Sequence, residues 1–336
     1  MVGQIIEDTA EMPRPNPSAA VHGSGSPMIQ LRRLHRFFGR TKAVNDVSFE
    51  VQAGQVFGYI GPNGAGKTTS MRILSTLELP DYGDALVDGF SCVNDPDRVR
   101  QRLGFMPDHF GTYPNMNCVE YLDFFARSYG LVGRGRTQAL RHTLAYTGLD
   151  KIAEKPIRGL SKGMRQRLCL GRAMIHDPAV LVLDEPANGL DPRARIELRH
   201  MLRGLAAEGK ALLVSSHILT ELGEMCDAIG IIERGELIVS GSVSEIKAQL
   251  RPHIDVRLHL IDGGETLGQW LAEQPGVSHI QAQDTVVRFQ LAGASPQHQA
   301  ELLRAIVQAG FLLLEFSTES RSLEDVFLQI TTGAVQ

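Results

Sequence analysis

Gly61-Pro62-Asn63-Gly64-Ala65-Gly66-Lys67-Thr68-Thr69 decides how this chain is read. It follows a short apolar run, Gln55 to Ile60, that reads as a buried strand, and it opens into Ser70-Met71-Arg72-Ile73-Leu74, which reads as a helix. The spacing G-x-x-x-x-G-K-[ST] between strand and helix is that of a phosphate cradle. Gly64 and Gly66 carry no Cβ, so the backbone can wrap closely around an anion. The loop N–H groups and the positive end of the helix then face the phosphates. Lys67 adds a full charge, and the Thr68 hydroxyl is placed to ligate Mg²⁺. The stretch predicts a nucleoside triphosphate site.

The rest of the chain supplies a globular setting. It has 336 residues, 43% hydrophobic and 21% charged, with a formal net charge of −4. That length suits one large domain or two smaller ones, and the charge gives no basic field for nucleic acid. No run approaches the length of a membrane span, and the N-terminal residues lack the pattern of a signal peptide. The four cysteines (Cys92, Cys118, Cys169, Cys226) show no metal-type spacing and fit reduced thiols in a cytosolic protein.

Residues 1–27 are rich in Pro, Gly, Ser and Ala and read as a disordered tail. Val47, Phe49 and Val51 alternate with polar residues, as in a half-buried antiparallel strand. Asp81 to Gly89 reads as turn–strand–turn, and Asn115–Tyr129 and Gly135–Thr147 as helices. Ala179–Leu183 and Ala211–Ser216 are continuous apolar strands of the kind covered on both faces. Strands alternating with helices indicate a mainly parallel α/β sheet over residues 28–248, with ligands at the carboxyl ends of its strands. From 249 to 336 the pattern changes. Alternation at Ile254 to Leu260, a helix at Glu265–Glu273, strands at Val277–Gln283 and Thr285–Leu291, a helix at Pro296–Gln308 and a strand at Phe311–Phe316 suggest a small ferredoxin-like α+β domain. A last helix is expected from Leu323 to Ile330.

Further residues carry chemistry. Asp184-Glu185 closes the apolar run at Leu183, where a metal-handling carboxylate belongs in a phosphate-loop enzyme: Asp184 for Mg²⁺, Glu185 for the attacking water. Leu160-Ser161-Lys162-Gly163 precedes a helix reaching about Ile175. It reads first as an ordinary Ser-capped helix start and second as an anion site. His217 ends a strand, where it can meet a phosphate or be structural. Phe38 can stack on a base or sit in a core.

The order of these pieces resembles the nucleotide-binding domain of ABC transporters over about residues 28–243. The resemblance implies an ATPase whose two copies pair head to tail around two ATP molecules. It makes Gly61–Thr69 the Walker A loop, Asp184-Glu185 the Walker B pair, and Gly189-Leu190-Asp191 the D-loop. Phe38 becomes the adenine-stacking aromatic, usually a tyrosine, and His217 the switch histidine. Ser161 and Gly163 belong to the signature that contacts the γ-phosphate held by the opposite copy.

Two positions depart from the family pattern. The signature Leu-Ser-Gly-Gly-Gln here carries Lys162 and Met164, and Asp108 in Leu103-Gly104-Phe105-Met106-Pro107-Asp108 replaces a glutamine that senses Mg²⁺. Ser322 to Leu328, with Met-Pro-Asp and Leu-Ser-Lys-Gly-Met, resembles the type-2 ABC exporter ATPases, which pair with a separate six-helix permease. The protein implied is a homodimeric ATPase subunit, peripheral on the cytoplasmic face of the membrane. The segment from Phe110 to Tyr121 would dock the permease. The rival reading, a soluble ABC ATPase of ribosomes or DNA, calls for a second phosphate loop or a long coiled-coil insertion. The chain has one such loop, and 69–160 is too short for the insertion.

Overall fold

The computed structural model describes residues 26–109, 111, 113, 115–218, 222, 223, 225–249, 253–292 and 296–319. Of the tail expected over residues 1–27, residues 1–25 lie outside the described residues, as does the helix expected at Leu323–Ile330. The chain divides into two compact units between Gly241 and Ser242.

The first unit is built on two sheets. In one, β1 (Ile29–Phe38) pairs antiparallel with β2 (Thr41–Val51) and with β4 (Tyr82–Val87), and β5 (Phe90–Ser91) continues from β4. The alternation at Val47, Phe49 and Val51 turns these side chains inward while Ser48 and Glu50 stay exposed. The other sheet runs β10-β9-β3-β8-β7-β6. Its members are β3 (Val56–Ile60), β6 (Leu103–Met106), β7 (Val180–Leu183), β8 (Ala211–Ser216), β9 (Ala228–Glu233) and β10 (Glu236–Ser242). From β6 through β7, β8 and β3 to β9 every pairing is parallel. Every residue of β3, β7, β8 and β9 is buried, so the continuous apolar runs are central strands with both faces covered. Phe49 of β2 stacks on Phe57 of β3, ring centroids 4.8 Å apart, and locks the two sheets together.

Helices fill the connections. They are α1 (Lys67–Leu74), α2 (Pro96–Arg102), α3 (Cys118–Ser128), α4 (Gly133–Tyr146), α5 (Lys162–Met174) and α6 (Pro192–Ala207). Asn117 and Glu120 form a reciprocal capping box at the start of α3. That start lies three residues after the Asn115 expected from periodicity. Helices α3, α4 and α5 enclose their own core of Cys118, Tyr121, Leu122, Leu144 and Leu168. The antiparallel sheet, the parallel core and this helical cluster give the α/β architecture its three parts.

The second unit contains α7 (Val243–Gln249), β11 (His253–Leu260), α8 (Gly264–Ala272), β12 (Val277–Gln283), β13 (Val286–Ala292), α9 (Pro296–Gln308) and β14 (Leu313–Glu319). Its sheet runs β12-β13-β11-β14 with antiparallel neighbours, the split β-α-β arrangement. Val256, Leu258, Val287, Phe289, Leu267 and Ile306 meet in its core.

Candidate nucleotide site

Strand order places the site. β3 lies between β8 and β9, far from its sequence neighbours, so the carboxyl ends of β3, β6, β7 and β8 share one edge of the sheet. The segments leaving those ends carry Gly61–Thr69, Asp108, Asp184-Glu185 and His217.

The loop after β3 forms a cleft of about 190 Å³. Asn63, Gly64, Ala65, Gly66, Lys67, Thr68 and Thr69 line it, together with Ala43, Asp108 and Glu185. Gly66 sits at φ 107, and a β-carbon there would collide with the Ala43 carbonyl oxygen, so only glycine lets the loop pass under β2. The Lys67 ammonium donates to the carbonyls of Gly61 (2.7 Å) and Pro62 (3.3 Å) and lies 3.5 Å from Glu185 Oε1. Burial pulls its pKa below the ordinary lysine value, and the carboxylates of Glu185 and Asp184 partly restore it. A buried cation with only modest pairing favours an anion beside it.

The carboxylates are held by a short network. Thr68 Oγ1 donates to Asp184 Oδ2 (2.8 Å), and the Ser215 hydroxyl donates to Asp184 Oδ1 (2.6 Å). The same Ser215 oxygen accepts the Glu185 N–H (2.8 Å). Glu185 adopts φ 49, left-handed backbone that a non-glycine residue rarely takes, and the Ser215 contact helps to fix it. One carboxylate oxygen, Oε2, lies 2.9 Å from His217 Nδ1. Since a carboxylate only accepts, Nδ1 carries the proton in this pair. The other, Oε1, is buried and has the Lys67 ammonium 3.5 Å away as its charged neighbour.

The structure brings Gly61–Thr69, Asp184, Glu185 and His217 together, and Asp108 lines the same cleft. Asp108 accepts from Asn188 Nδ2 (3.4 Å), the residue before the D-loop, and pairs with its neighbour His109 Nδ1 (2.8 Å). Ser161, Gly163 and Asp191 are not among the residues lining the cleft. Ser161 caps α5 through the Met164 N–H (3.3 Å), and Asp191 caps α6 through the Ala194 N–H (2.9 Å). Lys162 lies over Gly189, where a β-carbon would collide with its ammonium. Phe38 stands half exposed at the end of β1, also outside the lining.

Sequence reasoning missed two residues of the site. Ala43 lies on a strand distant in sequence, and nothing in its type marks it. Ser215 had one signal, a hydroxyl immediately before the strand end that carries His217, but its two partners come from another strand.

Comparison with known proteins agrees with this geometry. A family model described as "ABC transporter" matches residues 44–188, and one described as "ATP-binding protein DrrA1-3-like, C-terminal domain" matches 241–331. The Nod factor export ATP-binding protein I of Ralstonia nicotianae (strain ATCC BAA-1114 / GMI1000) is 33% identical, across 92% of this chain and 95% of its own length. The linearmycin resistance ATP-binding protein LnrL of Bacillus subtilis (strain 168) is 28% identical, across 90% and 98%. A solved structure of the ATP-binding subunit of an ABC transporter superposes with a TM-score of 0.61 at 27% identity, covering 66% of this chain and 92% of that one. The phosphate cleft and the relatives that share the chain nearly end to end lead to one conclusion: the chain belongs to the ATP-binding subunits of ABC transporters and is an ATPase of that family.

Proposed function

We propose that this ATPase powers a separate membrane permease of an export system, and that its ATP site is half of a site completed by a second copy of the chain. The observation that carries the second part is the separation of the pieces. The signature at Ser161 and Gly163 and the D-loop Asp191 lie at helix starts outside the cleft lined by Asn63–Thr69, Ala43, Asp108 and Glu185. A head-to-tail homodimer supplies the missing wall. ATP binding closes the pair and hydrolysis reopens it.

The residues at the cleft fit Mg²⁺. Thr68 Oγ1 and Asp184 Oδ2 are hard oxygen donors 2.8 Å apart, the chemistry that this cation takes. Held by these two residues, Mg²⁺ would supply positive charge to offset that of the phosphates. Lys67 and the loop N–H groups hold the phosphates. Glu185 accepts a proton from the water that attacks the γ-phosphorus as the bond to the β-phosphate oxygen breaks. His217 holds the Glu185 carboxylate in orientation, and Phe38 stacks on the adenine.

Coupling to a permease is supported by a groove in the first unit. It measures about 250 Å³ and is lined by Leu77, Val99, Phe105, Phe125 and Tyr129 with Arg100 and Arg172. Leu77 and Tyr129 are exposed large apolar side chains, a surface suited to an amphipathic helix. Of the segment first expected to dock the permease, Phe110, Thr112 and Pro114 lie outside the described residues, and Tyr121 is buried. No helix among the described residues is long and apolar enough to cross a membrane. The location that fits the proposal is the cytoplasmic face of the membrane, bound to the permease.

The test is Glu185→Gln. With Mg²⁺ and ATP, light scattering should find a stable dimer while phosphate release is lost. A monomer under saturating ATP, or undiminished hydrolysis, overturns the proposal.

A further inference from the structure

Phe38, the base-stacking residue of the proposed site, already has one neighbour against its ring. Arg36 holds its guanidinium carbon 4.7 Å from the Phe38 ring centroid, within cation–π range. Two carboxylates hold that guanidinium. Nη2 binds Glu78 Oε1 at 2.6 Å, and Nη1 binds Asp81 Oδ1 at 3.2 Å. In-plane donors directed at carboxylates leave the flat face of the group for a ring. Asp81 also takes the Phe37 N–H at 2.6 Å and so fixes the backbone beside Phe38. Glu78 reaches on through Oε2 to Arg72 Nη2 at 3.9 Å, in the last turn of α1, the helix that the phosphate loop opens. A chain of contacts therefore runs from α1 through Arg72, Glu78 and Arg36 to the Phe38 ring.

A phenyl ring offers two faces, and here the guanidinium covers one. Phe38 as a residue remains 49% exposed, whereas the Arg36 side chain is 22% exposed. Phe38 has no hydroxyl by which its orientation could be fixed, so an isolated side chain at the hairpin end would sample several rotamers. Ordering such a side chain on binding weakens affinity, and a side chain ordered beforehand avoids that loss.

We infer that Arg36 is a positioning residue for nucleotide recognition: stacked on the inner face of Phe38 and tied through Glu78 to α1, it presents the outer face to the nucleotide base. The inference rests on the reading of Phe38 as the base platform. The phosphate cradle, Lys67 and Glu185 are untouched by it, so its signature is a base-dependent effect.

The experiment measures binding of Mg²⁺–ATP and of Mg²⁺–tripolyphosphate, which has the phosphates and no base, by calorimetry on the full chain. Arg36→Met should weaken ATP roughly three- to tenfold, the factor that ordering one side chain represents, and leave tripolyphosphate unchanged. In turnover the loss should appear in KM rather than in kcat. Arg36→Lys keeps the charge without the plane and should resemble Arg36→Met. Phe38→Ala separates the two readings. If it weakens ATP selectively while Arg36→Met does not, the role of Arg36 is overturned and Phe38 stands. If it affects both ligands equally, the base platform is wrong and the inference falls with it. An equal loss of ATP and tripolyphosphate in Arg36→Met also overturns the inference, since it marks a fold defect. Should Arg36→Met fail to fold, Glu78→Gln keeps the arginine and loosens its hold. A smaller loss selective for ATP supports the inference, and no selectivity overturns it.

Discussion

Ser215→Ala removes one oxygen, and the site should register it twice. The hydroxyl donates to Asp184 Oδ1 at 2.6 Å and accepts the Glu185 N–H at 2.8 Å, and Ser215 is fully buried. Alanine leaves both groups without this partner, at about 1–3 kcal/mol for each unpaired buried group. A total of roughly 2–6 kcal/mol lowers the melting temperature by roughly 4–24 °C. The kinetic effect is separate. Glu185 sits in a left-handed conformation, which carries about 1–3 kcal/mol of strain and persists only where its surroundings enforce it. Without the Ser215 acceptor the carboxylate should drift from the position that meets the attacking water. A displacement near 1 Å lowers the rate by about two orders of magnitude. A malachite-green assay at saturating ATP should show kcat reduced about 10- to 100-fold, with KM little changed because the phosphate loop is intact. Ser215→Thr, which keeps the oxygen, should recover most of both losses. If Ser215→Ala retains wild-type kcat and melting temperature, the network is not what positions Glu185.

Other outcomes follow from single contacts. Gly66→Ala should abolish ATP binding in calorimetry, because the new methyl meets the Ala43 carbonyl and the backbone sits at φ 107. His176 stacks on Tyr129 at 3.7 Å, and burial pulls its pKa down to about 4. The folded state refuses a proton that the unfolded state takes below its ordinary value of 6.5. Stability is therefore intact above that pH and falls as pH drops toward 4, by up to about 3 kcal/mol. Urea titrations across this window should show a shallower fall for His176→Phe, which keeps the stack. Asp191→Ala removes the cap of α6 and should lower stability by about 1 kcal/mol.

Local signals in the sequence carried much of the architecture. The limits of β8 agree with the apolar run at Ala211–Ser216 residue for residue, since a strand covered on both faces writes its length into composition. The phosphate loop was legible because its chemistry needs fixed neighbours along the chain. What stayed hidden depends on strand order. Ser215 reaches Asp184 and Glu185 because β8 lies beside β7, and Ala43 roofs the cleft because β2 folds over the loop. Arg36 gave no sign of its stack on Phe38, since residues from 72 to 81 hold it there. Lys162 lies over Gly189 in its own chain, a contact between two segments that neither segment announces. Periodicity placed the start of α3 early because the Asn117–Glu120 capping box decides it.

The central claim, that a second copy completes the ATP site, is open to a direct chemical measurement. Asn63 at the cleft and Ser161 at the signature are both exposed, and the native cysteines are all buried, so a cysteine pair at these positions reports with little background. In a chain carrying Asn63→Cys, Ser161→Cys and Glu185→Gln, mild oxidation with Mg²⁺–ATP should produce a disulfide-linked dimer, seen as a band at twice the chain mass on a non-reducing gel. Nucleotide-free protein should not form it. Absence of the ATP-dependent dimer, or a cross-link confined within one chain, would contradict the account.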